Sequence, residues 1–438
     1  MDKFSFTPDE WTPYLGILIL VGIILISNYS KGFREFWSPL TIIAIIFGYY
    51  CCLGPYQAIT NGDTYDRLLN MRPFYVSALW GGFVSLLFYA LGFVANRGSQ
   101  PSKVQPFPPE TLFHYGRKIF IIGFILFTIS TGGNVTKLIN PLDAQYVGQI
   151  GGGLANYLGL SLNFLIPGLA LLFAYFITTR KGLVWFLIPF AVAMGIFITM
   201  GFRYRIVLLF GSLAIVYYYS VRKKPNIIFA SIGIFALIAF MGILNISRQY
   251  GAGLNTQKLE QGTSTKYYES GVRESLIFQT SGAVIDIVPE RHPHAGLQPV
   301  WSTLLFPIPR ALFPEKNSSD YLFDTLDAIY GKKISQGAAI MAYGEYYLAF
   351  GWMGIIIGCF LTGWFFKKLW VWYKANWSHP FVIVVYAVTV TYLYVIISRG
   401  YLPQVTMLFF FTVFPVYFVL WLAKKKYSFK PVRRLVRP

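Results

Sequence analysis

The sequence predicts an all-α polytopic membrane protein: about eleven transmembrane helices, an extracytoplasmic N-terminus, a cytoplasmic C-terminus and one large extracytoplasmic loop. Three observations lead there. Of the 438 residues, 55% are hydrophobic and only 13% are charged, a balance foreign to soluble domains. Apolar runs recur that are long enough to span a hydrocarbon layer, in which a helix satisfies its own backbone polar groups. The cationic residues collect on one side once the runs are laid out alternately.

In chain order the runs occupy residues 13–28, 39–54, 74–95, 119–131, 158–178, 183–200, 204–220, 226–246, 344–366, 380–397 and 402–422. The first follows Asp2, Lys3, Asp9 and Glu10, so it lacks the basic flank of a cleaved signal and reads as a retained span. The fourth is short. Pro167, Pro189 and Pro415 fall inside runs, where a bundle accommodates them as kinks. With the N-terminus outside, the cytoplasmic side receives 21 of the 37 lysines and arginines and only two acids, Glu35 and Glu110. Sixteen cations and sixteen acids remain for the other side. The net charge of +19 is thus a topology signal; the lipid bilayer accounts for it and no nucleic-acid partner is required. The chain divides into eight spans over 1–246, a large loop over 247–342, three spans over 343–423 and a basic tail over 424–438.

With Glu345 just beyond it, the large loop holds ten of the eighteen acidic residues, and it holds two of the four histidines. A loop this long is functional rather than connective. It faces a compartment without nucleotides, so an enzyme there works on a pre-activated substrate. Cys51, Cys52 and Cys359 lie in apolar runs and form no disulfide framework. Gly151 to Gly153 lack the Lys and Ser/Thr of a phosphate-binding loop and read as a surface turn.

Arginines at the outer ends of spans carry the first chemical signal. Arg203 and Arg205 lie in one very short turn, Arg399 in another, and Arg248 directly follows the eighth run. A guanidinium is always charged, and its planar fork matches phosphate oxygens; such a set at headgroup depth suits a lipid-linked diphosphate, with snorkelling to phospholipid as the alternative. Glu345 opens the ninth run and is a candidate acid or base, or a plain helix-start carboxylate. His292 and His294, beside Glu290, are candidate proton carriers, and a metal pair there has weak support. Trp301, Tyr343, Tyr346 and Tyr401 are candidates for stacking on sugar faces or for interfacial anchoring. The segment 318–331 reads as a short amphipathic helix capped by Ser319 and Gly331, with Asp320, Asp324 and Asp327 on a solvated face or, with weaker support, spaced to bind a divalent cation.

The sequence FPIPRALFPEKN, then YGEYYLAFGWMG at the start of a span, then SRG near the end of the next, resembles the pattern of the bacterial oligosaccharide repeat-unit polymerases, the O-antigen or exopolysaccharide polymerases of the Wzy type. The specific likeness covers about residues 270 to 402. It implies a GT-C-like membrane glycosyltransferase that needs no metal or other cofactor. Its donor is a growing glycan on undecaprenyl diphosphate, and its acceptor a lipid-linked repeat unit at the outer face of the cytoplasmic (inner) membrane. It also implies a chain-length regulator as partner and functional roles for Arg310 and Arg399. The sequence departs from the pattern at Lys316, which no proline follows. A ligase of the same fold and a flippase for the lipid-linked unit are the rival readings. Against the flippase, the charges lie at span ends and in one asymmetric loop rather than at midplane in repeated halves.

Overall fold

Eleven helices among the described residues are long and apolar enough to cross a membrane. The computed structural model describes residues 5–62, 65–66, 69–98, 101–133, 158–200, 203–247, 264–308, 320–331 and 338–428. Before the large loop come α1 (Pro8–Ser30), α2 (Pro39–Thr60), α3 (Arg72–Ala95), α4 (Glu110–Ser130), α5 (Leu158–Thr179), α6 (Leu183–Met200), α7 (Arg203–Val221) and α8 (Ile227–Ser247). The loop contributes α9 (Ser264–Val272), α10 (Ile277–Ile287), α11 (Gln298–Leu305) and α12 (Tyr321–Tyr330). It is followed by α13 (Ala342–Asn376), α14 (Pro380–Ser398) and α15 (Leu402–Tyr427). All eleven expected apolar runs are recovered as helices. The short fourth run proves to be the second part of a helix that starts at Glu110, because Thr111, Leu112 and Gly116 already pack inward there.

Alternation of the spans gives the bundle two ends. One, here the loop end, carries the starts of α1, α3, α5, α7, α13 and α15 together with α9 to α12. A small antiparallel hairpin, Tyr65–Asp66 with Leu69–Asn70, lies in the connection preceding α3. There the α1 cap is reciprocal between Thr7 and Glu10, and Arg72 pairs with Glu10 at 2.7 Å. The opposite end is held by Lys374 and Glu35 at 3.0 Å and by the Arg34 guanidinium 3.7 Å from the Trp377 ring centroid.

Helices packed in lipid gain little from the hydrophobic effect, so close backbone approach matters more. At the contact of α3 with α13, a Cβ on Gly92 would lie 2.0 Å from the Phe360 carbonyl oxygen, and one on Gly363 would lie 2.2 Å from that of Tyr89. α14 is the central element: 89% of its apolar window is buried, against 17% for α8. α8 therefore stands at the periphery, and it is joined closely to α9, where Gly242 and Gly271 let the two backbones touch.

α13 is not one straight rod. Phe350 and Gly351 leave helical geometry, and Gly351 adopts φ 62°, ψ −149°, a region open in practice to glycine alone. The carbonyls orphaned by this break are taken up by the loop: Ala295 N–H donates to Leu348 at 2.8 Å and Gly296 N–H to Ala349 at 3.0 Å. The segment before the break folds against the segment after it, where Gly358 receives the ring of Tyr346. The single span expected over 344–366 is thus a short helix followed by a longer one.

Replacing Gly92 by Leu is expected to cost about 1–3 kcal/mol by overpacking. Gly195→Leu, where an added Cβ meets nothing within 4 Å, serves as the control. Thermal unfolding of the purified protein in detergent should show a lower midpoint for the first and little change for the second.

Candidate functional site

At the loop end, two carboxylates and two tyrosines join segments far apart in the chain. The start of α13 is anchored first. Met341 N–H donates to Ser281 Oγ at 2.8 Å, and Ile340 accepts from Gly400 N–H at 2.7 Å. One turn into α13, Glu345 is only 4% exposed. Its Oε1 accepts the Tyr321 hydroxyl of α12 and, at 2.7 Å, the backbone N–H of Leu402, the first residue of α15. A carboxylate placed there satisfies an orphan amide and complements the helix dipole. The helix-start role considered for Glu345 is therefore met on α15 as well as on its own helix.

Asp320 completes the cluster. As N-cap of α12 it accepts Leu322 N–H on Oδ1 at 3.1 Å, and its Oδ2 accepts the Tyr401 hydroxyl. Burial pushes the Asp320 carboxyl above its ordinary range, against the opposing pull of the Tyr401 and Leu322 donors. The expected loop helix is present, but its cap is Asp320; Ser319 lies outside the described residues. The shared solvated face is also corrected. Asp324 is exposed, whereas Asp320 turns into the cluster, because Tyr321, Leu322, Thr325 and Leu326 wedge α12 into the protein. Among the described residues, no three His, Cys, Asp or Glu side chains are grouped as a metal site would need.

The Ser-Arg-Gly turn between α14 and α15 is pinned along its backbone. Arg399 N–H closes α14 on Val395 at 3.1 Å, Gly400 N–H bonds Ile340, and Leu402 N–H bonds Glu345. Glycine is needed at 400, since a Cβ there would lie 2.4 Å from the Met341 carbonyl oxygen. The half-buried Arg399 side chain thus leaves a fixed backbone.

Arg203 is half-buried at the start of α7. Arg205 departs from the expected outward pair: it is 4% exposed, and its Nε donates to Asn163 Oδ1 at 3.0 Å, which also accepts the Tyr204 hydroxyl at 3.2 Å. Positions two apart on a helix are turned by about 200°, so the two guanidiniums start from opposite faces. Arg248 and Arg310 lie outside the described residues.

The histidines belong to a different place. His294 sits against Gly351 and stands 6.0 Å from the Tyr347 ring. His292 Nδ1 lies 3.0 Å from its neighbour's carbonyl at Pro293. Their loop caps the break in α13, and no hydrogen bond joins either to Glu345. Of the aromatic candidates, Tyr401 is in the cluster, beside the rings of Tyr321 and Phe323. Tyr343 is buried, its ring against Gly81 and its hydroxyl donating to Ala78 at 3.3 Å, so protein covers the faces that sugar stacking would need. Tyr346 is half-buried against Gly358. Trp301 is 62% exposed on α11, among the equally exposed Leu297, Val300 and Leu304, a face suited to the membrane interface.

Sequence reasoning missed Tyr321, Asn163 and the inward role of Asp320. Asp320 and Tyr401 are 81 residues apart, and no periodicity carries such a pairing.

Among the described residues, eleven apolar helices with a buried polar cluster at one end define a multi-pass membrane protein. The chain belongs to the O-antigen polysaccharide polymerase Wzy family, whose model matches residues 10–430. The resemblance read from the Pro-Arg, Tyr-Gly-Glu and Ser-Arg-Gly segments is thereby established over nearly the whole chain, and its general activity is repeat-unit polymerisation. Neither curated sequences nor solved structures yield a match.

Truncation of Glu345 to Ala leaves the Tyr321 hydroxyl and Leu402 N–H without their acceptor, an expected loss of about 1–3 kcal/mol for each buried orphan. Glu345→Gln retains an acceptor and should lose less. Thermal midpoints of the three proteins in detergent check the order wild type, Gln, Ala.

Proposed function

We propose that the protein transfers a growing glycan from undecaprenyl diphosphate to an acceptor hydroxyl of an incoming lipid-linked repeat unit, with the loop end facing the extracytoplasmic side of the bacterial cytoplasmic membrane. The observation that carries this reading is the pinned Ser-Arg-Gly turn, which sets Arg399 in the same turn as Tyr401 and its partner Asp320. The orientation rests on charge: the opposite end bears Lys31, Arg34, Arg222, Lys223, Lys224 and Lys374, in keeping with the excess of cations on cytoplasmic faces.

In this reaction the bond from the anomeric carbon to the diphosphate oxygen breaks, and that oxygen keeps the electron pair. A new bond forms from the acceptor oxygen, whose proton passes to a base. The developing charge is on the leaving diphosphate, where fixed cations contribute most. Arg399 and Arg203 supply that charge at the loop end, and Arg205, held by Asn163, supports it from within. The substrate is already activated and the guanidiniums neutralise its leaving group, so the scheme calls for neither nucleotide nor metal. Glu345 is a positioning residue, because both of its donors are structural and it is closed from solvent. Asp320 is half-buried, raised in pKa by its burial and tied to Tyr401; it is the base of this scheme.

In a strain lacking its own polymerase, Arg399→Ala should reduce long polysaccharide by about 100-fold or more, the scale for losing one charge-stabilising donor. Asp320→Asn should do likewise at normal protein levels. The wild-type rate should fall as the pH drops through the raised Asp320 range, since a base acts only when deprotonated, and this slope should vanish in the Asn variant. A normal ladder of chain lengths from Arg399→Ala sinks the proposed role; single repeat units exposed on the outer side support it.

A further inference from the structure

An apolar slot of about 440 Å³ lies between the peripheral α8 and a wall made by α2, α7 and α14. Its walls include Trp37, Val207, Ala214, Tyr218, Gly233 and Met241. We propose that this slot seats the polyprenyl tail of the lipid diphosphate, with its headgroup at the loop end. The inference rests on the polymerase reading and names where its donor or product lies.

Three observations commit the slot to this occupant. The first is register. On α7 the lining positions Val207, Gly211, Ala214 and Tyr218 form one stripe at three- and four-residue spacing, and Arg203 continues that stripe one turn toward the loop end. An apolar groove that ends in a guanidinium is complementary to a long hydrocarbon with an anionic head. Arg399, at the same end of α14, adds a second charge above the lining residues Thr391 and Tyr394.

The second is length. From Arg203 to Tyr218 the stripe runs about 22 Å at a rise of about 1.5 Å per residue, whereas half of a hydrocarbon core is roughly 15 Å. A tail whose head rests at Arg203 and which fills the slot passes the midplane, as a polyprenyl chain does and an ordinary outer-leaflet acyl chain does not.

The third is the construction of the walls. α2 opens into a wider π turn over Gly48–Leu53, an irregularity frequent at functional sites, and Tyr49 and Tyr50 line the slot from it. On α8, Gly233 faces the slot, and an added Cβ would meet nothing within 4 Å. Gly211 and Ala214 on α7 and Ala230 and Gly233 on α8 are the small residues of an otherwise bulky lining, and they leave room between the two helices.

The test fills the slot without disturbing the helices. Full-length wild type, Gly233→Trp, the milder Gly233→Leu and the lipid-facing control Ile232→Trp are purified in detergent. Affinity is then measured for undecaprenyl diphosphate and for the short geranyl diphosphate. The expected result is about a tenfold or greater loss for undecaprenyl diphosphate with Gly233→Trp, a smaller loss with Gly233→Leu, unchanged geranyl diphosphate affinity, and wild-type behaviour of Ile232→Trp. Equal affinity of all four proteins for undecaprenyl diphosphate overturns the slot, as does a loss that is the same for both probes. Loss of a co-purified phosphatidylglycerol from Gly233→Trp, with undecaprenyl diphosphate binding intact, assigns the slot to a structural phospholipid and also overturns it. Failure of the wild type itself to bind undecaprenyl diphosphate sinks instead the donor assigned above, which keeps the two readings separable.

Discussion

Burying a carboxylate is costly unless donors surround it, and the site at the loop end is organised by how Glu345 meets that demand. Its two donors come from α12 and α15, so satisfying one side chain fixes two other elements in place. α12 is a ten-residue helix, flanked on both sides by stretches outside the described residues; its start is fixed by Tyr321 reaching Glu345 and Asp320 reaching Tyr401, and its end by Tyr330, which bonds Thr280 and Asp66. α15 in turn begins where it does because its first amide is held. Remove the carboxylate and the helix of the loop and the start of the last span lose a common reference.

The same reasoning explains why Arg399 is more informative than Arg205. Both are cations near the loop end, and both look alike as letters in a short turn. Arg399 projects from a turn in which its own amide and those of Gly400 and Leu402 are engaged, so the backbone that carries it is fixed. Arg205 is enclosed and hydrogen-bonded to Asn163, so its side chain is spent on the protein's own interior.

Much of the architecture was legible in the letters. Length and apolarity alone identify all eleven helices, because in a bilayer there are few other ways to satisfy a backbone. Two of the segments that carry the family resemblance meet in space: the Tyr-Gly-Glu start of α13 lies under the Ser-Arg-Gly turn, while Arg310 of the Pro-Arg segment lies outside the described residues. What could not be read was side-chain facing. The arginines at 203 and 205 are neighbours in sequence and strangers in space, since helical geometry turns them apart. Asp320 resembled Asp324 and Asp327, but the buried Tyr321 beside it draws it inward. The histidine-bearing loop looked catalytic because histidine so often is, whereas its backbone amides cap the break at Phe350 and Gly351. That break has a weak sequence signal, a glycine within an apolar run, and many such glycines sit in unbroken helix.

The break also gives the short helix before it a mechanical character. It is clamped at one end by Ser281 and Gly400 and at the other by the amides of Ala295 and Gly296, with Glu345 between. A beam held at both ends has little freedom to tilt. The 290–296 loop and the first turn of α15 thus meet on one short helix of about two turns, the loop through Leu348 and Ala349 and α15 through Glu345, so a surface loop and the membrane bundle share a single support.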